Sequence, residues 1–411
     1  MLTRRSFLQK SSLAFAASAM LPSVFDRASQ VAAASTGGGR YGTDTILVVV
    51  QMSGGNDGIN TVVPYGIDGY RQNRPTLGIP ESDVLALDDR VGLHPSLAAL
   101  HRRYQDGQVA IIEGAGYPNP VLSHSRSMQI WQTAAPDRVD PDGWLADYVA
   151  TVPTSAEALY ATNISNGTSP ALVGRGVDAA AIASLDAYRF RPDPKYPNDA
   201  DHQEQLIKSI YGQDFVAAPL QAHVAHTATK AFASSAKVQA AARAYASAVQ
   251  YPTFALANSL KTVAQLIAAD LGTRVYYVSF GGFDTHAVQH NAHARQLTGF
   301  SDSVDAFIGD VTAMGKADRV LLLAFSEFGR RVRENASQGT DHGTAGPMFL
   351  VGSRVKGGLY GDYPSLQALD GNNNLRYGVD FRSVYATTLD GWLGADPQLV
   401  LGARYEDVGF I

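Results

Sequence analysis

Short apolar runs, each closing on a glycine-rich turn, recur along this chain. The first covers residues 45–52 and ends at Ser53-Gly54-Gly55-Asn56-Asp57-Gly58. Val109 to Glu113 repeats the pattern and closes at Gly114-Ala115-Gly116. Arg274 to Phe280 runs into Gly281-Gly282-Phe283-Asp284, and Arg319 to Phe325 into Ser326-Glu327-Phe328-Gly329. Continuous runs, as opposed to alternation, mark strands covered on both faces, as in a parallel sheet. Between the third and fourth runs, from about Ala292 to Met314, apolar residues fall at helical spacing. Strand, helix, strand in this order predicts an α/β fold with a doubly wound, mainly parallel sheet flanked by helices. The middle of the chain, about 152–265, is rich in Ala and Ser and broken by Pro192, Pro194 and Pro197. Its helical spacing predicts two or three helices forming a cap insertion.

The first 34 residues change the picture of where the protein works. Thr3-Arg4-Arg5-Ser6-Phe7-Leu8 precedes a mild apolar stretch, Ser11 to Leu21, and small residues at Ala32-Ala33-Ala34. Paired arginines before a weak apolar region predict a twin-arginine (Tat) signal peptide over 1–34, removed after Ala34. The mature chain, 35–411, then forms one α/β domain, periplasmic or secreted, with the Tat export machinery as its first partner. No window reaches the roughly 20 apolar residues that span a bilayer, so a stable membrane anchor is not expected. With 411 residues, 45% hydrophobic and 17% charged, the chain has the composition of a globular protein and not a disordered one. A net charge of −5 carries no basic footprint for nucleic acid. The absence of cysteine excludes disulfides, thiolate nucleophiles and Cys-ligated zinc.

Open α/β sheets bind ligands beyond the carboxyl ends of their strands. Here that rule selects Asp57 after the first run, Asp284 and His286 after the third, and Glu327 after the fourth. Asp341 and His342 follow in the glycine-flanked Gly339-Thr340-Asp341-His342-Gly343. Carboxylates and imidazoles on one rim suit a divalent ion such as zinc or manganese. Other histidines attract simpler readings: His290 and His293 as the solvated face of a helix, His94 as a helix-start or packing residue.

The motifs Gln51-Met52-Ser53-Gly54-Gly55-Asn56-Asp57-Gly58, Gly281-Gly282-Phe283-Asp284-Thr285-His286, Ser326-Glu327-Phe328-Gly329-Arg330, Asp341-His342-Gly343-Thr344-Ala345 and Asp380-Phe381-Arg382-Ser383 occur in this order. In them the chain resembles the Tat-exported bacterial family called domain of unknown function 1501. That family in turn resembles the alkaline phosphatase and sulfatase superfamily. The resemblance implies an alkaline-phosphatase-like fold and a two-metal site. It places Asp57 on the metal nearest the nucleophile, and Asp284, His286 and His342 on the other. Glu327 stands where the superfamily has an aspartate ligand, and Phe328 where it has a histidine. One metal site is complete in this set; the second lacks an imidazole, a vacancy that Asp341 is placed to fill. The superfamily nucleophile is a hydroxyl at a helix start. Leu122-Ser123-His124-Ser125-Arg126 offers Ser123 and Ser125 for that role, His124 as ligand or base, and Arg126 for an oxyanion.

Three functions follow. The first is an exported metal-dependent hydrolase of phosphate or sulfate esters, its substrate a small molecule or polymer, with Arg126 or Arg330 neutralising developing charge. The second is a metal-free serine esterase with Ser53 as nucleophile, Gly55 and Asn56 as oxyanion donors, and Asp284–His286 or Asp341–His342 as base. The third is a non-catalytic phosphatase-like binding protein.

Overall fold

The computed structural model describes residues 44–411, apart from 153–158, 175–176, 178, 187, 189–192, 194 and 213–218. The expected signal peptide, 1–34, lies outside the described residues, as do parts of the expected cap. In chain order the strands are β1 (Ile46–Ser53), β2 (Val62–Val63), β3 (Leu85–Ala86), β4 (Gly92–Leu93), β5 (Val109–Gly116) and β6 (Ala161–Asn163). They continue as β7 (Ala179–Ala181), β8 (Val275–Gly281), β9 (Val320–Phe325), β10 (Gly346–Val351), β11 (Gly358–Tyr360) and β12 (Val379–Asp380). The main sheet runs β11-β5-β10-β9-β1-β8-β6-β7, with β12 also on β5; β2, β4 and β3 form a small separate sheet.

The apolar runs became the central strands because both of their faces are covered. In β1, Val48, Val50 and Met52 enter one core while Leu47 and Val49 enter the other. One core is closed by helices Ala255–Ala268 and Gln289–Ala313, through Leu260, Val263, Phe300 and Phe307. The other is closed by helices His124–Thr133, Trp144–Thr151 and Phe381–Thr387. Aromatic stacking fixes that second layer: Trp131 lies 4.3 Å from Phe381 and 5.1 Å from Phe325, and Trp144 4.1 Å from Tyr385. The C-terminal segment seals the start of β1, where Thr45 Oγ1 donates to Trp392 O and Trp392 Nε1 donates to Ile46 O.

The sheet is mixed but mostly parallel. β1 pairs in parallel with both β8 and β9, while β10 is antiparallel to β5 and β9. The stretch 152–265 departs from the purely helical expectation. It contributes β6 and β7, which extend the main sheet beyond β8. Its last helix, Ala255–Ala268, packs on the sheet and does not stand above it, burying Leu256, Leu260, Val263 and Ile267 at helical spacing. Helices Ala200–Tyr211 and Pro219–Ala244 pack on each other. Among the described residues no helix is long and apolar enough to cross a membrane. In the register, Ser53 lies beside Gly281 and Gln51 beside Phe325, so the turns leaving three strands meet at one edge.

Candidate functional site

At that edge the chain must bring three turns into contact, and two glycines permit it. Gly54 has φ +120° and Gly55 φ +73°, conformations that side-chain-bearing residues avoid. A Cβ on Gly54 would stand 2.5 Å from Asp284 N, and one on Gly55 would run into the Phe328 ring at 2.3 Å. Arg330 then knots the turns together. It is fully buried and donates from Nε to Gly55 O at 2.6 Å, from Nη1 to Thr340 O at 2.7 Å, and from Nη2 to Gly54 O and Phe283 O. A fifth bond, 2.7 Å from Nη2 to Asp284 Oδ1, orients that carboxylate. Arg330 is therefore committed to the protein, contrary to the expectation that it neutralises substrate charge.

Around Asp284 the imidazoles gather. One ligating atom each from His124, Asp284 and His342 lies within 4.8 Å of the others, the geometry of a potential metal site. His342 Nε2 is 3.3 Å from Asp284 Oδ1, and His124 Nε2 is 3.4 Å from Asp284 Oδ2 without hydrogen-bonding geometry. His286 Nε2 adjoins the group, 2.9 Å from Asp284 Oδ1 and 3.0 Å from His342 Nε2. The outward nitrogens are tied back: His342 Nδ1 donates to Leu122 O and His124 Nδ1 to Glu327 Oε1, both at 2.8 Å. Protons held at Nδ1 leave the Nε2 lone pairs of neutral rings facing inward. Partial burial would raise the pKa of Asp284, but the hydrogen bond from Arg330 and its charge hold it down at about 2. Phe328 is buried against two of these rings, 4.9 Å from His124 and 4.6 Å from His342. It walls the site where the sequence lacks an imidazole, and His124 brings one from another element.

The remaining expected ligands sit elsewhere. Asp57 does not join the group. It is wholly buried, with Oδ2 2.5 Å and Oδ1 2.9 Å from Arg74 and a further bond from Gln289. Burial opposes its charge, yet Arg74 keeps its pKa at about 2. Both oxygens are filled by protein donors, so this is a structural ion pair. Glu327 is also buried, accepting at Oε1 from Gly54 N and His124 Nδ1. Asp341 stands behind His286, 3.5 Å from Nδ1, and accepts from Asn335.

Helix His124–Thr133 supplies the hydroxyls. Ser123 is its N-cap but makes no side-chain cap bond; its Oγ is exposed and 3.3 Å from Ser125 Oγ. Arg126 turns away, bonding Gln129 Oε1 and Arg138 O. Ser53 Oγ accepts from Gln51 and has no histidine partner among the described residues, which removes the base required by a serine esterase there. His293, expected on a solvated face, is buried against Asn56, while His94 starts a short helix as expected, accepting from Ser96 N. Sequence reasoning missed Arg74, Gln289 and Ser127. Ser127 Oγ bonds Glu327 O at 2.5 Å and Tyr117 at 2.7 Å, and its spacing of three from His124 was the available signal.

Several solved structures share parts of this architecture at low similarity. The C-terminal periplasmic domain of EcEptC from Escherichia coli is 12% identical, with 88% of this chain and 87% of that one covered and a TM-score of 0.39. The PsFucS1 sulfatase from Pseudoalteromonas sp. is 10% identical, with 94% and 75% covered and a TM-score of 0.37. A protein of the alkaline phosphatase superfamily from Vibrio parahaemolyticus is 9% identical, with 94% and 80% covered and a TM-score of 0.38. No curated protein sequence matches this one. The family model described as "Protein of unknown function (DUF1501)" matches residues 44–403, and the chain belongs to that family.

Proposed function

We propose that the protein is an exported, metal-dependent hydrolase of phosphate or sulfate esters. One observation carries the reading: Nε2 of His124, Nε2 of His342 and the Asp284 carboxylate converge with no donor between His124 and Asp284. Facing lone pairs and carboxylate oxygens repel, and a divalent cation among them removes that repulsion. Two imidazoles and a carboxylate are a donor set suited to zinc or manganese. His286 stands beside this set.

A bound ion supplies Lewis-acid polarisation of an ester oxygen. The chain supplies the rest. The amides at the start of helix His124–Thr133 favour an anionic group beside Ser123. In this reading Ser123 Oγ, free of any cap bond, attacks phosphorus or sulfur as its proton passes to a base; the ester P–O or S–O bond breaks, the leaving alcohol takes up that proton, and water then cleaves the seryl ester to release phosphate or sulfate. Ser125 stands beside it as the alternative hydroxyl. In the same reading His286, with Asp341 behind it, is the base that carries this proton. Export through the Tat route accords with the paired Arg4 and Arg5 in the first 34 residues.

The test is elemental analysis of protein purified from the periplasm, followed by aryl phosphate and aryl sulfate panels with zinc or manganese added. About one equivalent of metal, and ester cleavage lost on chelation, is the expected result. Protein that neither holds nor takes up metal, and cleaves none of these esters, would sink the proposal.

A further inference from the structure

The carboxylate of Glu327 carries negative charge into the wall of the site, and its geometry indicates what it does there. It is 2% exposed, and Oε1, the oxygen turned toward the site, already accepts from Gly54 N and His124 Nδ1, each at 2.8 Å. Oε2 accepts from Ser326 Oγ at 3.0 Å, and Ser127 Oγ donates to the residue's own carbonyl. Neither oxygen belongs to the set of atoms that converge within 4.8 Å of one another. A ligand role for Glu327 would cost its bond to Gly54, the turn that Arg330 and Asp284 are built around.

We infer that Glu327 is a positioning residue that acts on the bound ion through His124. Accepting at Nδ1 selects the tautomer with its lone pair on Nε2, fixes the ring plane, and makes Nε2 a stronger donor. Phe328, packed 4.9 Å from the same ring, restricts its rotation. His342 is held in the same way by a neutral carbonyl, Leu122 O, so the charged partner is reserved for His124. The inference rests on the metal reading above, yet half of it concerns the ring alone and is testable without metal.

Full-length mature protein, wild type, E327Q and E327A, is examined in two ways. Nitrogen-15 imidazole spectra of the metal-free protein, with H124N to assign the resonance, report the tautomer of His124. Calorimetric titration with zinc(II) reports stoichiometry and affinity. Wild type is expected to show the Nδ1–H tautomer at His124. E327Q retains an acceptor and keeps that tautomer, whereas E327A loses it. Zinc stoichiometry is expected to stay the same in all three, with affinity about 10–100-fold lower in E327A and an intermediate loss in E327Q. If E327A does not fold, the E327Q affinity decides: no change relative to wild type overturns the inference. A wild-type ring with its proton on Nε2 overturns it as well, and so does loss of one zinc equivalent in either variant, which would make Glu327 a ligand. Wild type that takes no zinc while keeping the Nδ1–H tautomer defeats the metal reading instead, and the role of Glu327 in holding the ring stands.

Discussion

Two aspartates follow strands that lie side by side in the sheet, and they have opposite surroundings. Asp57, after β1, is 0% exposed and every oxygen is met by a donor from Arg74 or Gln289. Asp284, after β8, is 48% exposed at its side chain, accepts from Arg330 at Oδ1, and at Oδ2 faces His124 Nε2, which has no hydrogen-bond partner among the described residues. A carboxylate whose valences are filled from within holds loops in place. One left beside competing lone pairs is available for chemistry. Position at a strand end therefore selects candidates, and hydrogen-bond saturation separates the candidate for chemistry from the structural residue.

The contrast can be broken most severely at Arg74. Replacing it with Met leaves Asp57 buried without its counterion and should destabilise the fold by about 3–5 kcal/mol, read by urea unfolding. The double variant with Asp57→Asn should recover part of that loss, and a neutral single variant would show that the pair is not structural. At the other aspartate the effect should fall on binding: Asp284→Asn is expected to weaken zinc by at least about 100-fold, more than an outer-shell change gives, with a stability change below about 1 kcal/mol. Isothermal titration and thermal melts together decide it.

Glu113 extends the comparison to a buried carboxyl with no hydrogen-bond partner at either oxygen among the described residues. Burial pushes its pKa up to about 7, from an ordinary value of 4.5, with Arg90 only partly opposing. The folded state thus keeps a proton that the unfolded chain releases between those values. Stability falls as pH rises through this window and levels off above 7. Glu113→Gln should accordingly stabilise the protein by roughly 2–3 kcal/mol at pH 8 and by little at pH 4, in matched denaturant titrations. The smallest effect belongs to Arg126, whose donors are spent on Gln129 and Arg138. Arg126→Ala should change ester turnover by less than about threefold, within the ordinary range for a surface residue away from the chemistry; a hundredfold fall would restore it as the oxyanion residue.

Much of the fold was legible because strands buried on both faces are written as unbroken apolar runs, and β1, β5, β8 and β9 all were. β6 and β7 were not: Ala161-Thr162-Asn163 and Ala179-Ala180-Ala181 are too short and too small-sided to show a period against helical alanine. In the candidate site, Asp284 and His286 were legible because they follow β8, His124 because it opens a helix, and His342 because it lies in a glycine-flanked loop. The Asp57–Arg74 pair was not, because Arg74 belongs to a separate loop and only folding reveals which carboxylate it meets. The same holds for Arg330, which reads as a substrate-facing cation until its donors are traced to the carbonyls of Gly54, Gly55, Phe283 and Thr340.

The central position of β1 has a consequence for biogenesis. Its two neighbours, β8 and β9, are encoded more than 200 residues later, and Trp392, which seals its first turn, lies close to the end of the chain. A ribosome adding about 5–20 residues each second therefore exposes Ile46 to Met52 for tens of seconds before any sheet partner emerges. During that interval the segment is an unpaired apolar edge with every property that promotes aggregation. The topology therefore leaves this segment open to association until β8 and β9 have emerged. The knot at Arg330 can be tied only after Thr340 has emerged.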